Sequence, residues 1–130
     1  MSVDENIVVI RSILDMINER RLADALPYLT PGFKRHDLTG AYPGVTQGTV
    51  VDFIGELIKG APDLKLAIED IFGAGDRVTV RLSATGTHEG VLFGQPPTGR
   101  QFSVNGINIY RFEGDKIAET WQLADVSALG

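Results

Sequence analysis

The 130-residue sequence contains no cysteine, which excludes disulfides and thiolate metal sites and points to a reducing, cytoplasmic compartment. Only two histidines are present, His36 and His88, and no histidine pair stands at the i, i+4 spacing of a metal site. Apolar runs are short. The N-terminus "MSVDENIVVI" is acidic, so neither a signal peptide nor a membrane-spanning helix is expected there. There is no basic run or aromatic-plus-basic stripe, and the formal net charge of −5 opposes an anionic polymer. Internal repeats, low-complexity tracts and linkers are also missing. These absences imply a soluble, unprocessed cytoplasmic protein with neither nucleic acid nor a membrane as partner.

What is present fits one domain, 1–130. With 43% hydrophobic residues, a chain of this length should bury roughly two thirds of its unfolded surface without covalent staples. Ser2 and Glu5 have capping-box spacing, and Ile7, Ile10, Ile13, Leu14 and Ile17 follow at helical intervals, which predicts a first helix of roughly five turns. A second amphipathic segment, "LADALPYL", ends at Pro31 and Gly32. The stretch "FKRHDLTGAYPGVTQG" reads as a long loop with one short strand at most. Thr49 with Asp52 resembles another cap, and Val50, Phe53, Ile54, Leu57 and Ile58 give a helical stripe stopped by Gly60 and Pro62.

After Pro62 the period changes to two. The turn signals "GAGD", "GQPPTG" and "EGD" divide the remainder into strands near 64–72, 77–88, 100–112 and 116–125. Helices first and a strand meander second predict an α+β domain, with helices covering one face of an antiparallel sheet.

Ionisable residues then stand out by position. Val78, Val80, Leu82, Ala84, Gly86 and His88 share one face of the second strand; Ile117, Glu119, Trp121, Leu123 and Asp125 share one face of the last. In a meander these two strands run in the same direction with one strand between them, roughly 10 Å apart. His88 and Asp125 are therefore expected to face one pocket mouth, with Trp121 as core or pocket floor. A solvent-boundary position is the plain alternative for both, and Glu119 is either solvated or hydrogen-bonded at the rim.

The motifs "GTHEG", "FGQPPTGR" and "GINIYRFEGDKIAETW", followed by Asp125, resemble the SnoaL-like polyketide cyclase family, also called ester cyclases, within the nuclear transport factor two-like superfamily. With the helical first half, the resemblance covers nearly the whole chain. It implies a cone-shaped α+β barrel, a strongly bent sheet around a pocket closed by the N-terminal helix. It implies dimers through the outer sheet face as well, where the row Thr79, Arg81, Ser83 and Thr85 is polar. It further implies cofactor- and metal-free intramolecular aldol chemistry on a hydrophobic, carbonyl-bearing small molecule, with Asp125 as acid/base and His88 orienting the carbonyl. The residue types suit this: one carboxylate serves as base and acid if an apolar wall, here Trp121 and Leu123, raises its pKa, and a neutral imidazole donates to the oxygen that gains charge.

A second constellation competes. "HDLTGAYPG" carries His36 and Asp37 where the segment resembles the loop holding the general base of ketosteroid isomerases, with Pro43 and the glycines allowing tight turns. An isomerase or dehydratase using Asp37 or His36 is the first alternative, although Asn105 and Asn108 stand where such enzymes carry a buried acid. A turn carboxylate bonded to its own backbone is the plain reading of Asp37. The last alternative is a non-catalytic ligand-binding or dimerisation domain, because fold does not fix activity.

Overall fold

The computed structural model describes residues 2–40 and 44–125; Pro43 lies outside them. In chain order the elements are α1 (Val3–Asn18), a 3₁₀ helix (Leu22–Tyr28), β1 (Leu29–Asp37), β2 (Val45–Thr46), α2 (Val50–Gly60), β3 (Lys65–Ala74), β4 (Arg77–Thr87), β5 (Gln101–Glu113) and β6 (Lys116–Ala124). The four strands of the second half begin and end within two residues of the positions that the alternation predicts.

The start of α1 is set by the capping box. The Glu5 N–H donates to Ser2 Oγ at 3.1 Å and the Ser2 N–H to Glu5 Oε1 at 3.2 Å, satisfying two otherwise orphaned donors. The helix runs 16 residues, about four and a half turns rather than five. Thr49 does precede α2, but its side chain makes no cap; Oγ1 instead accepts from the Thr46 N–H at 2.9 Å.

The six strands form one open sheet in the order β2-β1-β6-β5-β4-β3. All neighbours are antiparallel except β1 and β6, which run parallel. The helices cover its inner face, where Ile10, Leu14 and Ile17 of α1 meet Val78, Val80 and Leu82 of β4. Asn18 caps the edge of β3 as a strand would: Nδ2 donates to Leu66 O at 2.9 Å, and the Leu66 N–H donates to Oδ1 at 2.8 Å. An otherwise open edge is thereby paired.

β1 replaces most of the expected loop. Pro31 and Gly32, read as a stop, sit in the register shift between Leu29 and Lys34, a place where a strand tolerates proline. Two further shifts interrupt the ladders, between Ile68 and Asp70 on β3 and between Arg111 and Phe112 opposite β6. Such bulges bend a sheet and reverse the alternation beyond them. The second one decides where the site lies. Among the described residues no helix is long and apolar enough to cross a membrane.

Candidate functional site

Between the helices and the inner sheet face lies a cavity of about 220 Å³, larger than the roughly 150 Å³ cavity that holds benzene. Its helical wall is apolar, with Ile13, Ile17, Val50, Ile54 and Leu57. The sheet wall carries the polar groups: Arg35 of β1, Thr120 and Gln122 of β6, and Asn108 and Tyr110 of β5. Cross-strand pairing arranges them in two rungs. Thr120 stands opposite both Arg35 and Tyr110, and Gln122 stands opposite Asn108.

Within these rungs Asn108 Nδ2 donates to Tyr110 Oη at 2.9 Å, which leaves the phenol hydrogen for another acceptor. Burial pushes the Tyr110 phenol above its ordinary value, against smaller downward pulls from the Asn108 hydrogen bond and the Arg35 charge. The Arg35 guanidinium lies over the Phe53 ring, 4.7 Å from its centroid, held by cation–π attraction. Thr120 is 2% exposed and Asn108 8%. Thr120 Oγ1, Asn108 Oδ1 and Gln122 Oε1 are buried without a protein hydrogen-bond partner. An unmet buried polar group costs about 1–3 kcal/mol, so three on one wall mark a surface built to meet polar atoms of something else.

Of the residues singled out from the sequence, Asn108 lines this cavity. The expectation that Asp125, Trp121 and Leu123 face it is corrected. Ile117 pairs with Phe112 and Glu119 with Arg111, so Ala118 is an extra residue. Both Ile117 and Ala118 are buried. Beyond this bulge Thr120, Gln122 and Ala124 point inward and Leu123 is 51% exposed. Asp125 is exposed at the strand end, where its N–H donates to Asn105 O at 3.0 Å.

Trp121 belongs to an outer-face cluster. Its ring stacks on His36 at 5.9 Å and 26° between planes, and Arg77 lies over it at 5.1 Å. His36 Nε2 is 2.7 Å from Glu119 Oε2, and Arg111 Nε and Nη2 donate to Glu119 Oε1 at 3.3 Å. The His36 hydrogen bond, and then Arg111, hold the Glu119 carboxyl below its usual range against the opposing effect of burial. Neither Asp37 nor His36, the alternative bases, lines the cavity. Asp37 Oδ1 accepts from the Thr39 N–H at 3.0 Å and from Thr39 Oγ1 at 2.7 Å, the Asx turn of the plain reading.

His88 is buried, 2% exposed, yet it does not line the cavity. Nε2 is 3.3 Å from Gln95 O and Nδ1 is 3.1 Å from Thr98 Oγ1. A carbonyl only accepts, so Nε2 donates to Gln95 O, and Nδ1 is bonded to the Thr98 hydroxyl. The ring thus ties down the β4–β5 loop, whose Leu92 and Phe93 close one side of the cavity. Glu89 and Gly90 N–H groups both donate to Gly60 O, at 3.0 and 2.9 Å. A Cβ on Gly60 would strike Leu92, so only glycine lets α2 end there.

Arg35, Tyr110, Thr120 and Gln122 escape the sequence reading. The signal for Arg35 is its alternation with Phe33 in a stretch read as loop. For Thr120 and Gln122 it is the adjacent pair Ile117 and Ala118, two apolar residues in succession where alternation should have continued. Among the described residues, no three His, Asp or Glu side chains converge on a possible metal position.

The model of the SnoaL-like polyketide cyclase family matches residues 7–130. No curated protein matches the sequence significantly. Among solved structures, AclR from Streptomyces galilaeus, a proposed hydroxylase, has 25% identity and a TM-score of 0.86 over 98% of this chain and 94% of its own. IdmH from Streptomyces antibioticus, a proposed polyketide cyclase, has 26% identity and a TM-score of 0.80 over 93% of each chain. A proposed SnoaL-like polyketide cyclase from Jannaschia sp. CCS1 shares the fold, at 22% identity and a TM-score of 0.87 over 97% of this chain and 89% of its own.

Proposed function

The chain belongs to the SnoaL-like polyketide cyclase family, and from that premise we propose that it is a cofactor-independent acid–base enzyme acting on a hydrophobic, carbonyl-bearing small molecule. The observation that carries this reading is the one-sided polarity of the cavity, apolar on the helices and polar on three adjacent strands. A carbonyl oxygen lodged between Arg35 and Tyr110 would meet a fixed cation and a neutral donor as it gains charge, the arrangement that lowers the barrier to enolisation. Because burial raises its pKa, Tyr110 stays protonated at neutral pH and serves as the acid.

An intramolecular aldol closure balances on these residues. Tyr110 gives its proton to the polarised carbonyl's oxygen as a solvent water takes one from the adjacent methylene, and the resulting enol carbon forms a carbon–carbon bond to a second carbonyl carbon. As the first carbonyl reforms, its proton returns to Tyr110, and the second carbonyl's oxygen takes the proton held by the water. The acid role expected of Asp125 passes to Tyr110, and His88 acts through the loop that it fastens.

One observation favours a second reading. Among the described residues no carboxylate or imidazole lines the cavity, as befits a binding module. Deuterium uptake at the benzylic carbon of phenylacetone separates the two. Acceleration by the protein, lost by about 10²–10³ in Tyr110→Phe, supports the enzyme; binding without acceleration supports the module.

The outer sheet face suits a homodimer contact. Phe72, Ile107 and Leu123 are 60%, 46% and 51% exposed there, among the ion pair Arg81–Asp70 and the hydrogen-bonded pair Ser83–Glu69.

A further inference from the structure

We infer that the first half of α2, residues 50–54, is the door to the cavity, unwinding back through Gly55 to admit a ligand while the second half stays clasped to the β4–β5 loop. Resting on the cavity as a ligand site, this goes further, to how a ligand reaches it.

The two halves of α2 are held differently. At the C-terminal end Gly60 O accepts from the Glu89 and Gly90 N–H groups at 3.0 and 2.9 Å, and the turn that follows is tied from two other directions. Arg20, just beyond α1, donates through Nη2 to Pro62 O and Leu64 O at 2.9 and 2.8 Å. Asp63 accepts from the Thr87 N–H and hydroxyl of β4 at 2.7 and 2.8 Å. Leu57 and Ile58 pack against Ala61, Leu64 and Leu92, which are buried. The N-terminal end starts from a weaker base. Thr49 gives no side-chain cap, and the turn from Thr46 to Thr49 hangs on β2, a strand of two residues at the sheet edge. A helix start without its cap is the end that frays first.

Burial agrees with this. α1 buries Val9, Ile10, Leu14, Met16 and Ile17, whereas in α2 only Gly60 is buried. Val50, Val51, Phe53 and Ile54 are half-buried and line the cavity, so unwinding them gives up less packing than opening any part of α1 would.

Gly55 supplies the weak point. A Cβ there would meet nothing within 4 Å, so no close approach calls for glycine in the middle of the helix. In such a place glycine disfavours the helical state about fivefold relative to alanine.

Gly55→Ala is the test, because it stiffens the door at a residue that does not line the cavity. The probe is 4-fluorophenylacetone, whose fluorine resonance gives affinity and exchange rate together. If entry and exit both wait for unwinding, association and dissociation should slow by the same factor, about threefold to fivefold. Kd should not change, since the closed helix is stabilised equally with and without ligand. Glu56→Gly, an exposed second glycine beside the first, should quicken both rates. Hydrogen exchange reads the door without any ligand. The Phe53 amide, bonded to Thr49 O at 2.9 Å, should be less protected than the Ala61 amide, bonded to Leu57 O at 2.9 Å, and Gly55→Ala should protect the first further and not the second. Ligand exchange at the native rate in Gly55→Ala, or equal protection of the Phe53 and Ala61 amides, overturns the inference while leaving the cavity reading intact. If the probe does not bind, the cavity reading fails for such carbonyl compounds, and the hydrogen-exchange comparison alone decides the door.

Discussion

Asn108 and Tyr110 are two residues apart on β5, share its inner face, and are joined by a 2.9 Å hydrogen bond from Nδ2 to Oη. That bond fixes the direction of polarity across the cavity wall. The amide nitrogen is used, the amide oxygen is left to accept, and the phenol is left to donate. Sequence spacing alone puts the two side chains side by side, but only the fold gives them a cavity to address.

Tyr110→Phe removes the phenol hydrogen and leaves Asn108 Nδ2 without its acceptor. Turnover of a carbonyl substrate should fall by about 10²–10³, with a stability loss of about 1–3 kcal/mol. The pH dependence has a definite sign. Because the folded pKa is raised, the stability held in the neutral phenol is fully present below the unfolded value of 10.0 and is lost as pH rises through the folded value. Alkaline denaturation of the native protein should therefore steepen once pH passes the unfolded value of 10.0, and Tyr110→Phe should lack the step.

Asp125→Asn should change little. The side chain is exposed and on the far side of the bulge at Ala118, away from the cavity, so turnover in the same assay should stay within about twofold. A loss approaching that of Tyr110→Phe would return the acid–base role to Asp125.

The four strands, the two α-helices and the inward row of β4 were legible because strict alternation and capping residues are local signals. The site was not, because its position depends on one inserted residue. Alternation counted forward from Ile117 puts Trp121, Leu123 and Asp125 inside. Ala118 shifts that phase by one, and Thr120 and Gln122 take the inner places instead. Arg35 was lost for a related reason: β1 is ordered by its parallel pairing with β6, a contact made across more than eighty residues of chain that no local pattern reports. His88 was rightly read as inward, since burial follows from the row it ends. What it touches there, Gln95 O and Thr98 Oγ1, comes from a loop whose path periodicity does not describe.

His88→Leu tests the loop. Leucine fills much of the ring's volume but removes its bonds to the Gln95 carbonyl and the Thr98 hydroxyl, which keep only the Leu92 and Arg100 N–H groups, a cost of about 0.5–1.5 kcal/mol per lost bond. The loop should open more often, and ligand affinity should weaken because Leu92 and Phe93 are part of the cavity wall. Hydrogen exchange at the Glu89 and Gly90 amides, which bond to Gly60 O, should quicken, while amides of β4 inside the core should not.

Glu119 gives the outer face an acid limit. Its carboxyl is held below the unfolded value of 4.5 by His36 and Arg111, so its contribution to stability is present above 4.5 and disappears as pH falls through the lower folded value. Glu119→Gln should flatten the acid limb of the stability profile. The protein's one tryptophan, Trp121, stacks on His36, so its fluorescence should follow the same transition in the native protein and not in the variant.

The outer face also carries the assembly proposal. Leu123 and Ile107 stand opposite each other across β6 and β5, both about half exposed, and on neighbouring strands Phe72 is opposite Thr79 and Asp70 opposite Arg81. Exposed apolar side chains gathered on one sheet face favour association, and in a two-fold dimer the same patch would meet itself. Sedimentation equilibrium at micromolar concentration should give a dimer. Leu123→Glu would place two charges in that contact, one from each copy, and should shift the equilibrium to monomer at the same concentration. Because the side chain is already solvent-facing within one chain, the monomer's own melting should hardly move. A native protein that sediments as a monomer would remove the proposal outright; a Leu123→Glu variant that remains dimeric would move the contact elsewhere on the molecule.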